Sequence, residues 1–146
     1  MKGWKKAIGA AAASLVLVQL SVESASAWGA LAIGTSGDIQ KDGFAIGSAY
    51  GRPSEDDAKA AALKSCQNFQ NAPKRTTALC SVIMSFHGQC YAFAEDPKAG
   101  TPGVGWGIGA GGPAAVQKAL AMCKATAGPN RAQFCESRIN ACDTHD

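Results

Sequence analysis

Ala58-Lys59-Ala60-Ala61-Ala62-Leu63-Lys64-Ser65-Cys66 and Ala115-Val116-Gln117-Lys118-Ala119-Leu120-Ala121-Met122-Cys123 spell one pattern, A-x-x-x-A-L-x-x-C, twice at an offset of 57 residues. Positions i, i+4, i+5 and i+8 share one face of a helix, so each copy reads as a helix with a stripe of small residues that ends in a cysteine. A repeated helix implies a repeated unit around it. Working outward, W-G-A-L-A-I-G at 28–34 and C-Y-A-F-A at 90–94 open the two copies with short apolar strands. Gly37-Asp38 and residues 98–103 then supply turn chemistry, and second strands follow at 43–50 and 104–110, which predicts a hairpin in each copy.

The helix ends are equally legible. Ser54 is placed to cap the first helix, with Asp57 as its capping-box partner and Glu55 and Asp56 in the first turn, where the helix dipole favours acids. The second helix is predicted to start at Pro113 and to stop by Gly128-Pro129. In the third strand of the first copy Cys80, Val82, Met84 and Phe86 alternate with Ser81, Ile83, Ser85 and His87. Its counterpart sets Cys135, Ser137, Ile139 and Ala141 against Glu136, Arg138 and Asn140, and this more polar strand is expected to be the more exposed. Each copy is therefore β-β-α-β. The chain is expected to be an α+β domain, a tandem duplication with mainly antiparallel sheet and helices packed on it, repeat one covering 28–89 and repeat two 90–146.

Six cysteines, Cys66, Cys80, Cys90, Cys123, Cys135 and Cys142, are an even set that favours disulfides in an exported chain. Neither metal nor cofactor is expected: no C-x-x-C occurs, the spacings are wide, and His87 and His145 are the only imidazoles. The duplication selects Cys66 with Cys80 and Cys123 with Cys135, each tying the end of a helix to the next strand. Cys90 and Cys142 are left for one another, a bridge expected to close one half of the molecule upon the other.

Lys2, Lys5 and Lys6 precede an apolar run from Ala7 to Leu20, and Ala25-Ser26-Ala27 has the small-x-small pattern of a processing site. Residues 1–27 thus read as a signal peptide cleaved after Ala27, with a secreted or periplasmic destination. The run is shorter than the roughly 20 residues a bilayer span needs, so no membrane anchor is expected after cleavage. Removing this segment leaves 11 basic and 10 acidic residues. No stripe of Lys and Arg remains to neutralise phosphates, and nucleic acid is not an expected partner.

Gly107, Gly109 and Gly112 spell G-x-G-x-x-G between a strand and a helix, but no acidic residue follows at about 20 residues and no parallel β-α-β unit surrounds them. The glycines run instead at period two from Gly103 to Gly111, alternating with Val104, Trp106 and Ile108, a face that lets a helix or backbone approach closely. His87 sits in a His-Gly-Gln turn with no nucleophile motif beside it, so no catalytic residue is assigned. Glu55, Asp56 and Asp57 are accounted for by the helix start, and Glu95-Asp96-Pro97 by a turn. The aromatic residues of the hairpin strands are core candidates; among them Trp28, Tyr50, Tyr91 and Trp106 form the candidate binding surface wherever they face outward. The chain reads as a non-enzymatic binding module for a protein or a cell-envelope component. The alternatives are a small secreted hydrolase built on His87 and a structural envelope protein.

Taken together, W-G-A-L-A at 28–32, the glycine- and aromatic-rich second strand at 44–51, the A-x-x-x-A-L-x-x-C helix at 58–66 and the cysteine-led strand that ends in Gly88-Gln89-Cys90 resemble a known family. It is the group of small exported bacterial proteins called domain of unknown function 4189. The resemblance spans nearly all of the chain after residue 27 and implies export and disulfide bonding. It supplies no catalytic residues. The second repeat departs from the pattern in lacking a Ser or Thr cap on its helix and in its short last strand.

Overall fold

The computed structural model describes residues 27–143, so the expected signal peptide, Ala27 apart, and His145 lie outside the described residues. The chain runs β1 (Trp28–Gly34), α1 (Ile39–Asp42), β2 (Ala45–Arg52), α2 (Glu55–Gln67), α3 (Lys74–Thr77), β3 (Ser81–His87), β4 (Cys90–Glu95), β5 (Val104–Gly109), α4 (Gly112–Ala127), a 3-10 turn (Ala132–Phe134) and β6 (Glu136–Cys142). Two antiparallel three-stranded sheets result, ordered β2-β1-β3 and β5-β4-β6. Each repeat is thus β-β-α-β with its opening strand in the centre. The short helices α1 and α3 add to the expected plan. Asp38 starts α1 by accepting the Lys41 N–H at 3.1 Å, while Pro73 precedes α3 with its φ already set.

The duplication extends to an irregularity. In the first sheet Leu31 lies opposite Met84 and Ala32 opposite Val82, leaving Ile83 as the extra residue of a bulge. In the second, Phe93 faces Ile139 and Ala94 faces Ser137, leaving Arg138 in the same role.

Alternation along the central strands builds four layers, helix on sheet on sheet on helix. Ala30 and Ala32 turn toward α2 and pack with Ala58, Ala62 and Cys66, while Ala92 and Ala94 turn toward α4 and pack with Ala115, Ala119 and Cys123. The intervening residues are large. Leu31, Ile33, Ile46 and Phe86 from the first repeat interdigitate with Tyr91, Phe93 and Val104 from the second, forming the core between the sheets. Separating the repeats would expose all of them, so a half of this size is expected to be marginal alone.

Small residues at the helix–sheet contacts bring backbones together. A Cβ on Gly107 would lie 2.7 Å from the Ala115 carbonyl oxygen and 2.9 Å from the Ala119 nitrogen, and Gly105 and Gly109 are closed off by α4 in the same way. Gly47 faces Ala62 and Cys66 of α2. The period-two glycines therefore serve packing, and Val104, Trp106 and Ile108 point into the inter-sheet layer. At the start of α2 the Ser54 hydroxyl accepts the Asp57 N–H at 3.1 Å and donates to the Asp57 carboxylate at 2.7 Å.

The three disulfides are Cys66–Cys80, Cys90–Cys142 and Cys123–Cys135. One expectation needs correction. Cys90 and Cys142 lie opposite each other on β4 and β6, so their bridge closes the second sheet on itself and does not join the two halves. The halves are held by the inter-sheet core. As its polarity suggested, β6 is exposed from Glu136 to Asn140. Among the described residues no helix is long and apolar enough to cross a membrane.

Candidate functional site

The β4–β5 connection, residues 96–103, is held in one shape by a buried carboxylate. Asp96 has a fully covered side chain and accepts two hydrogen bonds from Arg131, Nε at 2.7 Å and Nη2 at 2.6 Å. It also accepts the Lys98 N–H at 3.1 Å, while its own N–H donates to the Gly103 carbonyl at 2.8 Å. A planar guanidinium that matches both oxygens fixes geometry as well as charge. These bonds, Arg131 first, hold the Asp96 carboxyl well below the usual range, at about 2. Arg131 lies 4.2 Å from the centroid of the Phe134 ring inside the segment closed by Cys123–Cys135, so its pair with Asp96 tethers the connection to that segment.

The first repeat carries a looser version of this clamp. Arg75, inside the segment closed by Cys66–Cys80, reaches Asp42 at 3.3 Å, with its side chain 67% exposed. The Ser36 hydroxyl and then Arg75 lower the Asp42 carboxyl. Thr76, buried, donates to the Asp42 carbonyl at 2.7 Å and pins the β1–β2 connection from below.

Where these two connections meet lies a groove of about 290 Å³. Ile39, Phe44, Phe69 and Val104 form the apolar part of its lining, with Phe44 stacked on Phe69 at 6.4 Å and against Phe93 at 5.4 Å. The polar part comes from Asn71 and from the clamped connection. Glu95 is occupied by Arg138, whose Nε donates to it at 3.1 Å, and Asp96 by Arg131. Lys98 makes no ion pair among the described residues.

None of the four aromatic residues singled out from sequence lines this groove. Tyr50 is 53% exposed. Tyr91, by contrast, is 1% exposed and belongs to the inter-sheet core, where its hydroxyl hydrogen-bonds Ser48 of the opposite sheet and burial pushes its phenol up. It presents no surface, because the alternation that sends Ala92 to α4 sends Tyr91 between the sheets. Trp106 is half-buried in that same layer. Trp28 is half-buried at the end of β1 and packs on His87 with ring centroids 4.8 Å apart. This pair occupies the terminal register position that Cys90–Cys142 occupies in the second sheet, so an aromatic contact stands where the other copy has a disulfide.

Among the described residues no carboxylate hydrogen-bonds His87. Nearby, Ser85 donates to Glu55 at 2.6 Å and Lys59 approaches the same oxygen at 2.7 Å. Both contacts, Lys59 first, lower the Glu55 carboxyl and make it a weak proton acceptor. No three His, Cys, Asp or Glu side chains among the described residues gather as metal ligands would.

Fold and groove together define a disulfide-stapled α+β domain made of two β-β-α-β repeats. The profile of a domain of unknown function, DUF4189, matches residues 28–142, and the chain belongs to that family. No curated protein and no solved structure matches the chain.

Sequence reasoning missed the Asp96–Arg131 clamp because Glu95-Asp96-Pro97 is sufficiently explained as a turn. The signal that would have found it is the duplication itself. Each repeat has an aspartate in its first hairpin connection and an arginine shortly before the cysteine of its third strand, Asp42 with Arg75 and Asp96 with Arg131.

Proposed function

We propose that this protein is exported, to the periplasm or beyond the cell, and works there without catalysis by holding a partner protein or a component of the cell envelope. The observation that carries this reading is the groove, which is shaped by both repeats and has one wall fixed by a buried bidentate ion pair. A wall of fixed shape loses little entropy when something settles against it, and a junction between repeats is a common place for a ligand. Three disulfides suit an oxidising compartment and keep the surface rigid there.

Affinity capture from envelope and extracellular extracts tests this, with the oxidised protein lacking residues 1–27 as bait and a reduced, alkylated copy as control. A component retained by the oxidised bait and lost from its Phe69→Ala variant is the expected result. Release of product from simple ester, peptide or glycan substrates, abolished by His87→Ala, would overturn the non-catalytic reading.

A further inference from the structure

The groove's chemistry narrows what it can hold, given that it is the binding site proposed above. We infer that it takes a small apolar carboxylic acid, a ring-sized group bearing one carboxylate. Three features lead there. First, about 290 Å³ accommodates a ring and a short arm, whereas an extended polypeptide needs a longer cleft with pockets for alternate side chains. Second, Phe44 and Phe69 offer stacked ring surface that an apolar ring covers well.

The third feature is charge. Three ionisable residues line the groove, Glu95, Asp96 and Lys98. Both carboxylates already have arginine partners that reach them from outside it, Arg131 at 2.6 Å on Asp96 and Arg138 at 3.1 Å on Glu95, the latter shared with Glu136 at 3.1 Å. Lys98 is the one ionisable residue of the lining that makes no ion pair among the described residues, and it sits on the connection that the clamp immobilises. A ligand carboxylate meeting Lys98 beside the Phe44–Phe69 surface satisfies charge and apolar area together. An alcohol of the same shape satisfies only the second.

The test is an amide chemical-shift titration of the oxidised protein lacking residues 1–27 with three probes: 3-phenylpropionate, 3-phenylpropanol and acetate. The acid is expected to give saturable shifts at residues 69–71 and 95–104. The alcohol binds about tenfold more weakly, the scale of one charge-assisted hydrogen bond, and acetate gives no saturable shift. Lys98→Gln, a surface change that leaves the fold intact, brings the acid down to the level of the alcohol, and Lys98→Arg retains most of the affinity. Equal binding of acid and alcohol, or an unchanged affinity in Lys98→Gln, overturns the acid assignment while leaving the groove a binding site. Absence of saturable shifts with every probe overturns the inference too, and the capture experiment then decides separately whether the protein binds through another surface.

Discussion

Gly107→Ala puts the helix–sheet contact under direct load. The new Cβ would stand 2.7 Å from the Ala115 oxygen and 2.9 Å from the Ala119 nitrogen, both backbone atoms of α4 that cannot rotate aside. The nearest atom of all would be the Lys118 Cβ at 2.5 Å, and ordinary contact begins at 3.4 Å, so the helix must retreat from β5 by about 0.9 Å. A gap of that size forfeits a quarter to a half of each dispersion contact along a face where Ala115, Ala119 and Cys123 are fully buried. Overpacking of this kind costs about 3 kcal/mol, and the reduced freedom of the unfolded chain returns about 0.5 kcal/mol. The expected net loss is about 2.5 kcal/mol, which lowers Tm by about 8–12 °C in a domain of this size. Gly111→Ala is the internal control, since its nearest neighbour would be Pro113 Cδ at 4.0 Å and its φ of −157° is extended. Gly111 is the N-cap of α4, where alanine is poorer than glycine, so the change should cost no more than about 1 kcal/mol. Circular-dichroism melts of the oxidised variants check both. A Gly107→Ala protein as stable as the control would refute the reading of the glycine face as a packing surface.

Acid titration of stability reports the clamp. The Asp96 carboxyl lies at about 2 in the fold against its ordinary 3.8, so its contribution is present above about pH 4 and fades as pH falls from there toward 2. Asp96→Asn should be less stable at neutral pH and should lack that part of the acid limb in urea midpoints measured from pH 2 to 5; an unchanged limb would contradict the assignment. The loop-entropy relation predicts a loss of about 3 kcal/mol on replacing Cys123 and Cys135 by serine, and about 4 kcal/mol for Cys90 and Cys142, whose loop is longer. Because the latter bridge lies within one sheet, its removal should leave a single unfolding transition; a separate early transition that frees one repeat would show that it holds the halves together. Tyr91→Phe strands the Ser48 hydroxyl beneath the sheets and should cost about 1 kcal/mol in the same melts.

Much of the fold was legible because the duplication supplied an internal check. The A-x-x-x-A-L-x-x-C stripe located both helices, and the need to repeat a bridge gave two pairs and left the third, one connectivity of about 15. The four-layer stacking was not legible. Ala30–Leu31–Ala32–Ile33 tells that a strand has one face for small residues and one for large, yet it does not name the element each face meets; that is fixed by the match of alanine to helix and of the large residues of the two sheets, Leu31 and Phe93 among them, in one core. The pairing of Cys90 with Cys142 is as expected, but the role expected for it, closing one half upon the other, failed for a related reason. Sequence separation, 52 residues here, says nothing about strand adjacency, and β4 pairs with β6 by closing the second sheet. The groove escaped because its lining comes from connections, where residues such as Asp96 and Lys98 carry ordinary turn chemistry until the tertiary fold gives them partners.

The most direct measurement of the central claim is amide hydrogen exchange on the oxidised protein with and without the component it retains from envelope or extracellular extracts. Binding at the junction of the repeats predicts slowed exchange at residues 69–71 and 95–104, with the Trp28–His87 end of the first sheet unchanged. Protection confined to that end, or to the exposed strand β6, with the groove unaffected, would contradict it.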